Sequence, residues 1–281
     1  MKKKILILGS EGQVGLHLKS YLKTKNYYVM DFDIVNKKNQ DLRKFNNRLL
    51  ISKIKKSDFI YFLAFDVGGS RYLKKYQNTF EFLSNNIRLM ENTFTLIKKY
   101  KKPFLFASSQ MSNMTYSNYG ILKNIGEKYS QILDGLVVKF WNVYGIENDL
   151  SKSHVITDFI LKGLKKKKIN MLTDGKEERD FLYAEDCCSG LEIIMLKYKQ
   201  IKKIKHSIDL TSTKYVKIIK IANIIKKLLL KKNIKIKIIP SNLKDSVQLN
   251  KKNKADRYLF RFWKPKYSLE KGISKILDNY I

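Results

Sequence analysis

Tyr119 and Lys123 lie four residues apart, in the order Tyr-Gly-Ile-Leu-Lys, and both side chains can take part in proton transfer. On a helix, residues i and i+4 share one face, so the ammonium is expected beside the phenol. A nearby positive charge favours the phenolate and is expected to lower the pKa of Tyr119 towards neutral pH. The pair is therefore a candidate for general acid/base catalysis at a substrate hydroxyl.

Two further hydroxyl groups, those of Ser108 and Ser109, follow an apolar segment at residues 104–107. In open α/β sheets, ligands bind at the carboxyl ends of the parallel strands. A hydroxyl of Ser108 or Ser109 is therefore expected where a reacting substrate hydroxyl would be bound.

A glycine-rich turn follows the first apolar run, residues 4–8, and precedes a helix-like pattern. Its sequence is Gly-Ser-Glu-Gly-Gln-Val-Gly, and glycines at this spacing let backbone N–H groups approach a pyrophosphate at the helix N-terminus. The strand-turn-helix context predicts a dinucleotide site. The predicted cofactor contacts in this turn are Gly9, Gly12, Gln13, Val14 and Gly15.

An acidic residue, Asp33, ends the second predicted strand, 24 residues after Gly9. Its carboxylate can accept hydrogen bonds from the ribose hydroxyls of adenosine and would repel a 2′-phosphate. NAD is therefore the expected cofactor and NADP is less favoured. Asp31 is the competing acid, and a surface carboxylate after an ordinary turn is the alternative without a cofactor.

The elements that must position these residues alternate along the first half of the chain. Almost wholly apolar strands are predicted over residues 4–8, 27–32, 59–65, 104–107 and 136–141. Helical patterns lie between them, over residues 14–25, 42–55, 80–100 and 119–133. This alternation predicts an α/β fold with a Rossmann-type, doubly wound parallel sheet that is covered on both faces.

The pattern changes after about residue 146, to helices broken by short β-like pieces such as residues 235–239. We expect residues 1–145, together with 183–210, to form the NAD-binding domain. Residues 146–182 and 211–281 are expected to form a smaller, interleaved lobe that binds the substrate.

The chain of 281 residues has a formal net charge of +32, which raises the question of a polyanionic partner. Of its 57 basic residues, however, only seven are arginines. Surfaces that read bases or clamp phosphates rely heavily on the bidentate fork of arginine. We therefore interpret most lysines as solvated helix faces and expect no nucleic-acid partner; a nucleic acid or a membrane surface is the alternative.

The two cysteines, Cys187 and Cys188, are adjacent and cannot form a disulfide framework. They are interpreted as packing residues in a reducing, cytoplasmic compartment, and no metal site is expected. No apolar run in the sequence reaches the roughly 18 residues that a membrane-spanning helix needs.

Taken in order, the motifs resemble those of the extended short-chain dehydrogenase/reductases, in the nucleotide-sugar epimerase/dehydratase family. The resemblance covers nearly the whole chain. The matching segments are the glycine turn, Asp41-Leu42, Phe62 to Phe65, Asn85 to Ile87, Ser109 with Tyr119 and Lys123, Lys139 to Gly145, Ser153 to Ile160, Asp174-Gly175, Arg179 to Tyr183 and Trp263 to Leu269.

This resemblance implies a role for each residue of the catalytic set. Tyr119 would be the general acid/base, Lys123 its partner and a ligand of the nicotinamide ribose, and Ser109 the hydrogen-bond partner of the substrate hydroxyl. The further cofactor contacts that it implies are Asp41, Leu42 and Ala64.

The resemblance also implies a nucleotide-diphosphate sugar as the substrate, with Asn142 and Arg179 at its nucleotide diphosphate. The fork of Arg179 suits an anionic diphosphate. A structural salt bridge of Arg179 with Asp180 or Asp186 is the alternative, as is a turn-capping role for Asn142.

Departures from the family patterns bear on the reaction. Gln110 and Met111, which follow Ser109, cannot move a proton, which argues against dehydration and 3,5-epimerisation. We therefore expect an NAD-dependent epimerase acting at C4 through a transient 4-keto sugar. His154 and the Val-Gly-Gly segment at residues 67–69 resemble the GDP-fucose synthases, so an NAD(P)H-dependent reductase of a nucleotide-4-keto sugar is the alternative, with His154 at the substrate.

Family members pair their subunits through two long helices, which correspond here to residues 80–100 and 119–133. A homodimer is therefore expected. A non-catalytic NAD-binding or RNA-binding protein is a more distant alternative, against which the intact set of Ser109, Tyr119 and Lys123 argues.

Overall fold

The computed structural model describes residues 2–245 and 253–281 of the chain. Within them, a six-stranded parallel sheet has the strand order β2-β1-β3-β4-β5-β9. Its strands are β1 (Lys4–Leu8), β2 (Tyr28–Phe32), β3 (Phe59–Phe62), β4 (Phe104–Ser109), β5 (Leu136–Phe140) and β9 (Ser207–Leu210).

Helices cover both faces of this sheet, as the alternating sequence pattern predicts. One face carries α1 (Gln13–Lys23) and α7 (Ala184–Leu196). The other carries α2 (Arg48–Lys56), α4 (Phe80–Tyr100) and α5 (Asn118–Ile132). The prediction of a doubly wound α/β fold is confirmed.

Strand β1 shows why its sequence is almost continuously apolar. Ile5 and Ile7 pack into the core beneath α1 and α7, whereas Leu6 and Leu8 pack into the core on the opposite face. Because side chains alternate across a strand, a sheet covered on both sides needs apolar residues at successive positions.

Several element boundaries differ from the predicted ones. Helix α2 begins at Arg48 rather than at residue 42, because the side chain of Asn47 caps it by accepting hydrogen bonds from two backbone N–H groups. The strand predicted over residues 59–65 ends at Phe62, which leaves Leu63 and Ala64 free to line a cleft. The sequence prediction missed α3 (Ser70–Tyr76), a short helix that follows Gly69.

A smaller unit lies beyond β5 in the chain and has its own apolar core. Its strands are β6 (Asn142–Tyr144), β7 (Lys168–Asn170), β8 (Glu178–Tyr183), β10 (Tyr215–Lys217) and β11 (Lys237–Ile239). Its helices are α6 (Val155–Lys166), α9 (Ile218–Leu230) and α10 (Leu269–Leu277), and α8 (Tyr198–Lys202) connects α7 to β9.

The chain passes between the two units more than once. Helix α7 packs on α1, and β9 extends the large sheet, before β10 returns to the smaller one. The division at residues 1–145 with 183–210, and 146–182 with 211–281, stays our proposed domain assignment.

Cys187 and Cys188 are buried on α7 inside the core that this helix shares with α1. Burial raises the pKa of both thiols above the usual value, which keeps them protonated. Among the residues that the structure describes, no helix has the length and apolar character needed to cross a membrane.

Candidate active site

A cleft of about 640 Å³ lies at the carboxyl edge of the large sheet. Because all six strands are parallel, the residues that follow β1 to β5 meet at this edge. The cleft is lined by predicted site residues from five strand ends and from α5: Gly9, Gly12, Gln13, Val14, Gly15, Asp33, Asp41, Leu42, Ala64, Ser109, Tyr119, Lys123, Asn142 and His154.

The absence of a side chain at each of the three glycines in the first turn has a different structural consequence. Gly9 has a positive φ of 84°, and a Cβ there would lie 2.6 Å from Ala64 Cα. A Cβ on Gly15 would lie 2.0 Å from the carbonyl oxygen of Gly9. A Cβ on Gly12 would meet nothing nearer than that same oxygen, at 3.5 Å, so Gly12 is open on the side of the cleft.

The acid predicted at the end of β2 is Asp33, which lines the cleft. Its carboxylate oxygens accept hydrogen bonds from the backbone N–H groups of Glu11 and Val35, each at 2.9 Å. The competing acid, Asp31, instead faces the ammonium of Lys53 at 3.6 Å. The structure therefore favours Asp33 as the acid of the cleft.

Asp41, at the same end of the cleft, is held by the fork of Arg43. Arg43 Nε and Nη2 donate to the two carboxylate oxygens of Asp41, both at 2.9 Å, while Nη1 donates to Asn85 Oδ1 at 2.8 Å. Burial would raise the pKa of Asp41, but the hydrogen bonds and charge of Arg43 outweigh it and keep the pKa below the usual value. Leu42 beside it is buried.

Ser109, Tyr119 and Lys123 meet on the floor of the cleft. Helix α5 carries the last two, and it can approach the turn that follows β4 closely because Gly120 has no side chain; a Cβ there would lie 2.4 Å from the carbonyl oxygen of Met111. The Tyr119 ring lies 5.7 Å from Lys123 Nζ, as the spacing of four residues predicts.

The expectation that Lys123 lowers the pKa of Tyr119 is wrong for this structure. Burial raises the pKa of Tyr119 to about 12, and a hydrogen bond with Ser109 offsets only a part of this effect. Burial also lowers the pKa of Lys123 to about 7, while the charge of Glu127 raises it in part. The sequence spacing places the two groups correctly, but it contains no information on how completely both are removed from water.

Ser108 and Ser109 have different surroundings, because successive residues of a strand face opposite ways. Ser109 interacts with Tyr119, whereas Ser108 donates a hydrogen bond to Glu127 Oε1 at 2.5 Å. Glu127 also forms an ion pair with Lys139 at 3.2 Å. The geometry therefore favours Ser109 over Ser108 as the hydroxyl that meets the substrate.

The predicted substrate residues separate into two groups. Asn142 lines the cleft and donates a hydrogen bond from Nδ2 to the carbonyl oxygen of Asp180 at 2.9 Å. Arg179 does not line it; within the described part of the chain, this guanidinium donates to Asp245 and to the carbonyl oxygen of Glu178. The alternative of a structural salt bridge was correct in kind, but its partner is Asp245.

The two acids proposed as partners of Arg179 have other roles. Asp180 accepts hydrogen bonds from the hydroxyls of Thr211 and Ser212, at 2.5 and 2.8 Å. Asp186 accepts from backbone N–H groups of the segment that precedes α10. Asp180 thus ties β8 to the segment that follows β9, and Asp186 ties α7 to the segment that precedes α10.

His154 lines the cleft together with an acid that the sequence analysis missed. Glu147 Oε1 lies 2.6 Å from His154 Nδ1, and Glu147 Oε2 accepts a hydrogen bond from the backbone N–H of His154 at 3.0 Å. Glu147 is buried, whereas the His154 side chain is 38% exposed. Glu147 therefore fixes one ring nitrogen of His154 and leaves the other free to face the cleft.

The glycines at positions 68 and 69 permit the close approach of this segment. A Cβ on Gly69 would lie 2.4 Å from the carbonyl oxygen of Ser153, and one on Gly68 would lie 2.8 Å from Tyr72 Cβ. The Val-Gly-Gly motif thus seats the loop after β3 against the residue that precedes His154.

The sequence model of the NAD dependent epimerase/dehydratase family matches residues 5–208. The chain belongs to this family. This family is one of NAD-dependent enzymes, so the resemblance found in the motifs is confirmed.

Individual relatives of this family member differ in their reactions. It is 29% identical to the GDP-L-fucose synthase of Sinorhizobium fredii over 147 residues, which cover 50% of this chain but only 45% of that protein. Two solved structures share its fold. One is the UDP-glucose 4-epimerase of Thermotoga maritima with UDP-glucose, with a TM-score of 0.78 and 18% identity over 99% of this chain and 98% of that one. The other is a GDP-6-OMe-4-keto-L-xylo-heptose reductase from C. jejuni, with a TM-score of 0.81 and 17% identity over 99% of this chain and 97% of that one.

The residues of the glycine turn fit NAD. Helix α1 begins at Gln13 without a side-chain cap, so the N–H groups of its first turn are available to a pyrophosphate. Gln13 Nε2 is buried and has no hydrogen-bond partner among the described residues, which is the situation expected of a group that meets a ligand. We propose that this turn, with Asp33 at the ribose, holds the cofactor of this epimerase/dehydratase family member.

Gly12→Ala is expected to weaken NAD binding about tenfold or more, because the added methyl group would occupy the open side of the turn where backbone must approach phosphate. The fold should be unaffected, since the nearest atom would be 3.5 Å away. Titration calorimetry with NAD, together with the melting temperature without NAD, measures the two effects. Unchanged NAD affinity would contradict the assignment; Gly15→Ala, whose Cβ has no room, is the matched variant that should lose stability instead.

Glu147→Gln is expected to lower the free energy of unfolding at pH 7 by about 1.5–3 kcal/mol, the usual contribution of a hydrogen bond to a charged group. Burial would raise the pKa of Glu147, but the hydrogen bonds and charge of His154 outweigh it, so the pKa lies below the usual value. A carboxyl with a lowered folded-state pKa stabilises the fold above its unfolded pKa and loses that contribution as pH falls through the folded one. The difference between wild type and variant, measured by urea unfolding, should therefore shrink below about pH 4; a difference independent of pH would show that no ionised carboxylate is involved.

Proposed function

We propose that this family member is an NAD-dependent nucleotide-sugar epimerase that acts at C4 through a transient 4-keto sugar. The observation that carries the proposal is the convergence of Ser109, Tyr119 and Lys123 in one cleft with the glycine turn and Asp33. The proton-transfer groups therefore lie where a dinucleotide bound at the turn would extend along the sheet edge.

Each group of the catalytic set has a distinct task in this proposal. Ser109 hydrogen-bonds the C4 oxygen of the sugar, and Tyr119 takes the proton of that hydroxyl when the alcohol becomes a ketone. Bound NAD supplies the acceptor for the hydride that leaves C4 and the donor that returns it. After the keto sugar has rotated to present its opposite face, Tyr119 gives a proton back to the C4 oxygen. Over the whole cycle, neither protons nor electrons are consumed.

The raised pKa of Tyr119 is suited to one half of this cycle. At neutral pH, burial keeps the residue protonated, which is the form that donates to a ketone oxygen. Removal of the first proton requires the phenolate form. The charge of Lys123, 5.7 Å from the ring, would favour that form, but in this structure burial outweighs it.

The substrate diphosphate is proposed to bind at Arg179 and Asn142. Arg179 does not line the cleft and forms an ion pair with Asp245; its planar fork would bind a phosphate group bidentately by exchanging that carboxylate for the phosphate. The UDP-glucose seen with the Thermotoga maritima epimerase supports a nucleotide sugar as the substrate class.

Tyr119→Phe is expected to abolish turnover, with a loss of at least about 10²-fold, because phenylalanine lacks the hydroxyl that is proposed to carry the proton. NAD should still bind, since the ring is kept. The test is NMR of the products formed from a panel of UDP- and GDP-hexoses by the NAD-loaded enzyme, and Tyr129→Phe on the same helix is the control. Stoichiometric oxidation of added NADH or NADPH by a nucleotide-4-keto sugar, with no epimer formed from any of the hexoses, would overturn the epimerase in favour of a reductase.

A reductase of nucleotide-4-keto sugars is the second candidate, and a specific observation favours it. His154 is fixed by Glu147 and lines the same cleft, which adds an imidazole that a simple C4 epimerase does not need. The GDP-L-fucose synthase and the C. jejuni reductase support this candidate. It would use Tyr119 in the same way but would consume NADH or NADPH.

We also propose a homodimer in the cytoplasm, paired through α4 and α5. The outer face of α5 carries an exposed apolar stripe, formed by Ile121, Ile125 and Ile132. Phe80 at the start of α4 is 76% exposed. Apolar side chains at this helical spacing are typical of a face that is covered in an assembly.

Ile125→Glu is expected to shift the protein from dimer to monomer, because it places a charge in the centre of the proposed apolar interface. Sedimentation equilibrium at micromolar concentration measures the mass. Lys226→Glu, at an exposed position of α9 and therefore outside α4 and α5, is the control that should leave the dimer intact. A wild-type protein that is monomeric over the whole concentration range would refute the interface.

A further inference from the structure

The ammonium of Lys123 has unusual surroundings for a buried cation. The residue is only 3% exposed, and within the described part of the chain its Nζ has one hydrogen-bond acceptor, the carbonyl oxygen of Ala107 at 2.7 Å. An ammonium has three N–H donors. The other groups around it are aromatic rings, of which Phe65 is nearest, with its centroid 3.6 Å from Nζ; those of Phe106 and Tyr119 lie at 5.2 and 5.7 Å.

The Phe65 ring is placed between two parts of the site. It lies in the loop after β3 and lines the cleft, and it packs edge to face on Tyr119 with centroids 5.8 Å apart. Phe65 is partly exposed to the cleft, whereas Lys123 beneath it is buried. The ring therefore covers the ammonium on its cleft side.

Glu127 is a charged group that favours the ammonium form of Lys123, but it does not line the cleft. On α5 itself, Glu127 lies one turn further on, but its two oxygens are engaged by Ser108 and Lys139. Strand β4 presents the Ala107 carbonyl and the hydroxyls of Ser108 and Ser109.

The loop after β3 presents one charge, that of Asp66, next to the ring. Its carboxylate accepts hydrogen bonds from Tyr72 at 2.6 Å and from Lys152 at 3.2 Å. The carboxylate is thus directed to other partners, and the attraction available to Lys123 from this loop is that of the Phe65 π face.

We propose that Phe65 is the positioning residue of Lys123: its ring face holds the ammonium over the Ala107 carbonyl, charged and directed to the cleft floor beside Tyr119. This role rests on the proposed function of Lys123 as the partner of Tyr119. The negative face of the ring replaces a missing hydrogen-bond acceptor, and it favours the charged form of a lysine that burial would otherwise neutralise.

The test is the pH dependence of Lys123 acetylation by trace acetic anhydride, with no NAD or sugar present and with the Lys123 peptide quantified by mass spectrometry. The wild type should label with a midpoint near pH 7, because burial lowers the pKa of Lys123 to about 7. Phe65→Leu keeps most of the volume but removes the π face, so the midpoint should fall by about one pH unit. Phe65→Ala admits water, so its midpoint should rise towards the usual lysine value.

The opposite directions of these two shifts identify positioning by the ring. Phe65→Tyr, which keeps the ring, should restore the wild-type midpoint, and the exposed Lys128 should label identically in every variant that is folded by circular dichroism. A midpoint that Phe65→Leu leaves unchanged or raises would overturn the proposal, as would failure of Phe65→Tyr to restore it.

The labelling experiment tests the positioning role of Phe65, and the activity assay tests the proposed function, so each can be refuted independently of the other. If the midpoints move as expected but no nucleotide sugar is converted, the proposed function is wrong and the positioning of Lys123 stands. If sugars are converted but the midpoint does not respond to Phe65→Leu, only the positioning role is wrong.

Discussion

A buried ammonium with one carbonyl partner is the constraint on which the catalytic floor depends. Removing such a cation from water costs several kcal/mol even after the protein relaxes. Lys123 is kept in place by the Ala107 carbonyl, by the rings of Phe65 and Tyr119, and by α5, which carries Glu127 one turn beyond it. Because α5 also carries Tyr119, any shift of the helix that relieved the cation would move the acid/base as well.

At the other end of the cleft, the same sheet edge must bind an anion rather than accommodate a buried cation. There the first turn of α1 presents backbone N–H groups, and the close contact of Gly9 with Ala64 fixes the turn against the segment that follows β3. Because these backbone N–H donors are fixed in position, they can bind phosphate without a flexible lysine or arginine side chain. The two ends therefore differ in chemistry, with backbone groups for the phosphates and a single desolvated lysine for the reacting centre.

Local patterns carried most of what the sequence could predict. The glycine turn, Asp33, and the spacing of Tyr119 and Lys123 are each set by neighbours within one turn or one strand, and the structure places all of them in the cleft. Helix α4 also has its predicted bounds: the side chain of Thr79 caps its first turn, and Lys101 takes the left-handed conformation directly after its last residue.

The features that could not be predicted depend on residues far apart in the chain. Asp245 reaches Arg179 from 66 positions away, and Glu127 meets Ser108 across the gap between α5 and β4. The pKa of Tyr119 was misjudged for the same reason: spacing gives the position of the charge, whereas the direction of the shift follows from a desolvation that only tertiary packing creates.

The net charge of +32 for the whole chain does not extend to the cleft, whose own balance of charged residues is different. The lining contains six carboxylate residues and only three lysines or arginines. The carboxylates are Glu11, Asp33, Asp41, Asp66, Glu147 and Asp149, and the cations are Arg43, Lys123 and Lys152. The excess of lysine therefore lies outside the cleft, where it can attract anions to the protein at low ionic strength but cannot select among them. Selection among anionic ligands therefore depends on groups in fixed positions, such as the glycine turn, Asp33 and Lys123. In this way, a strongly basic chain can contain a site that is not itself basic.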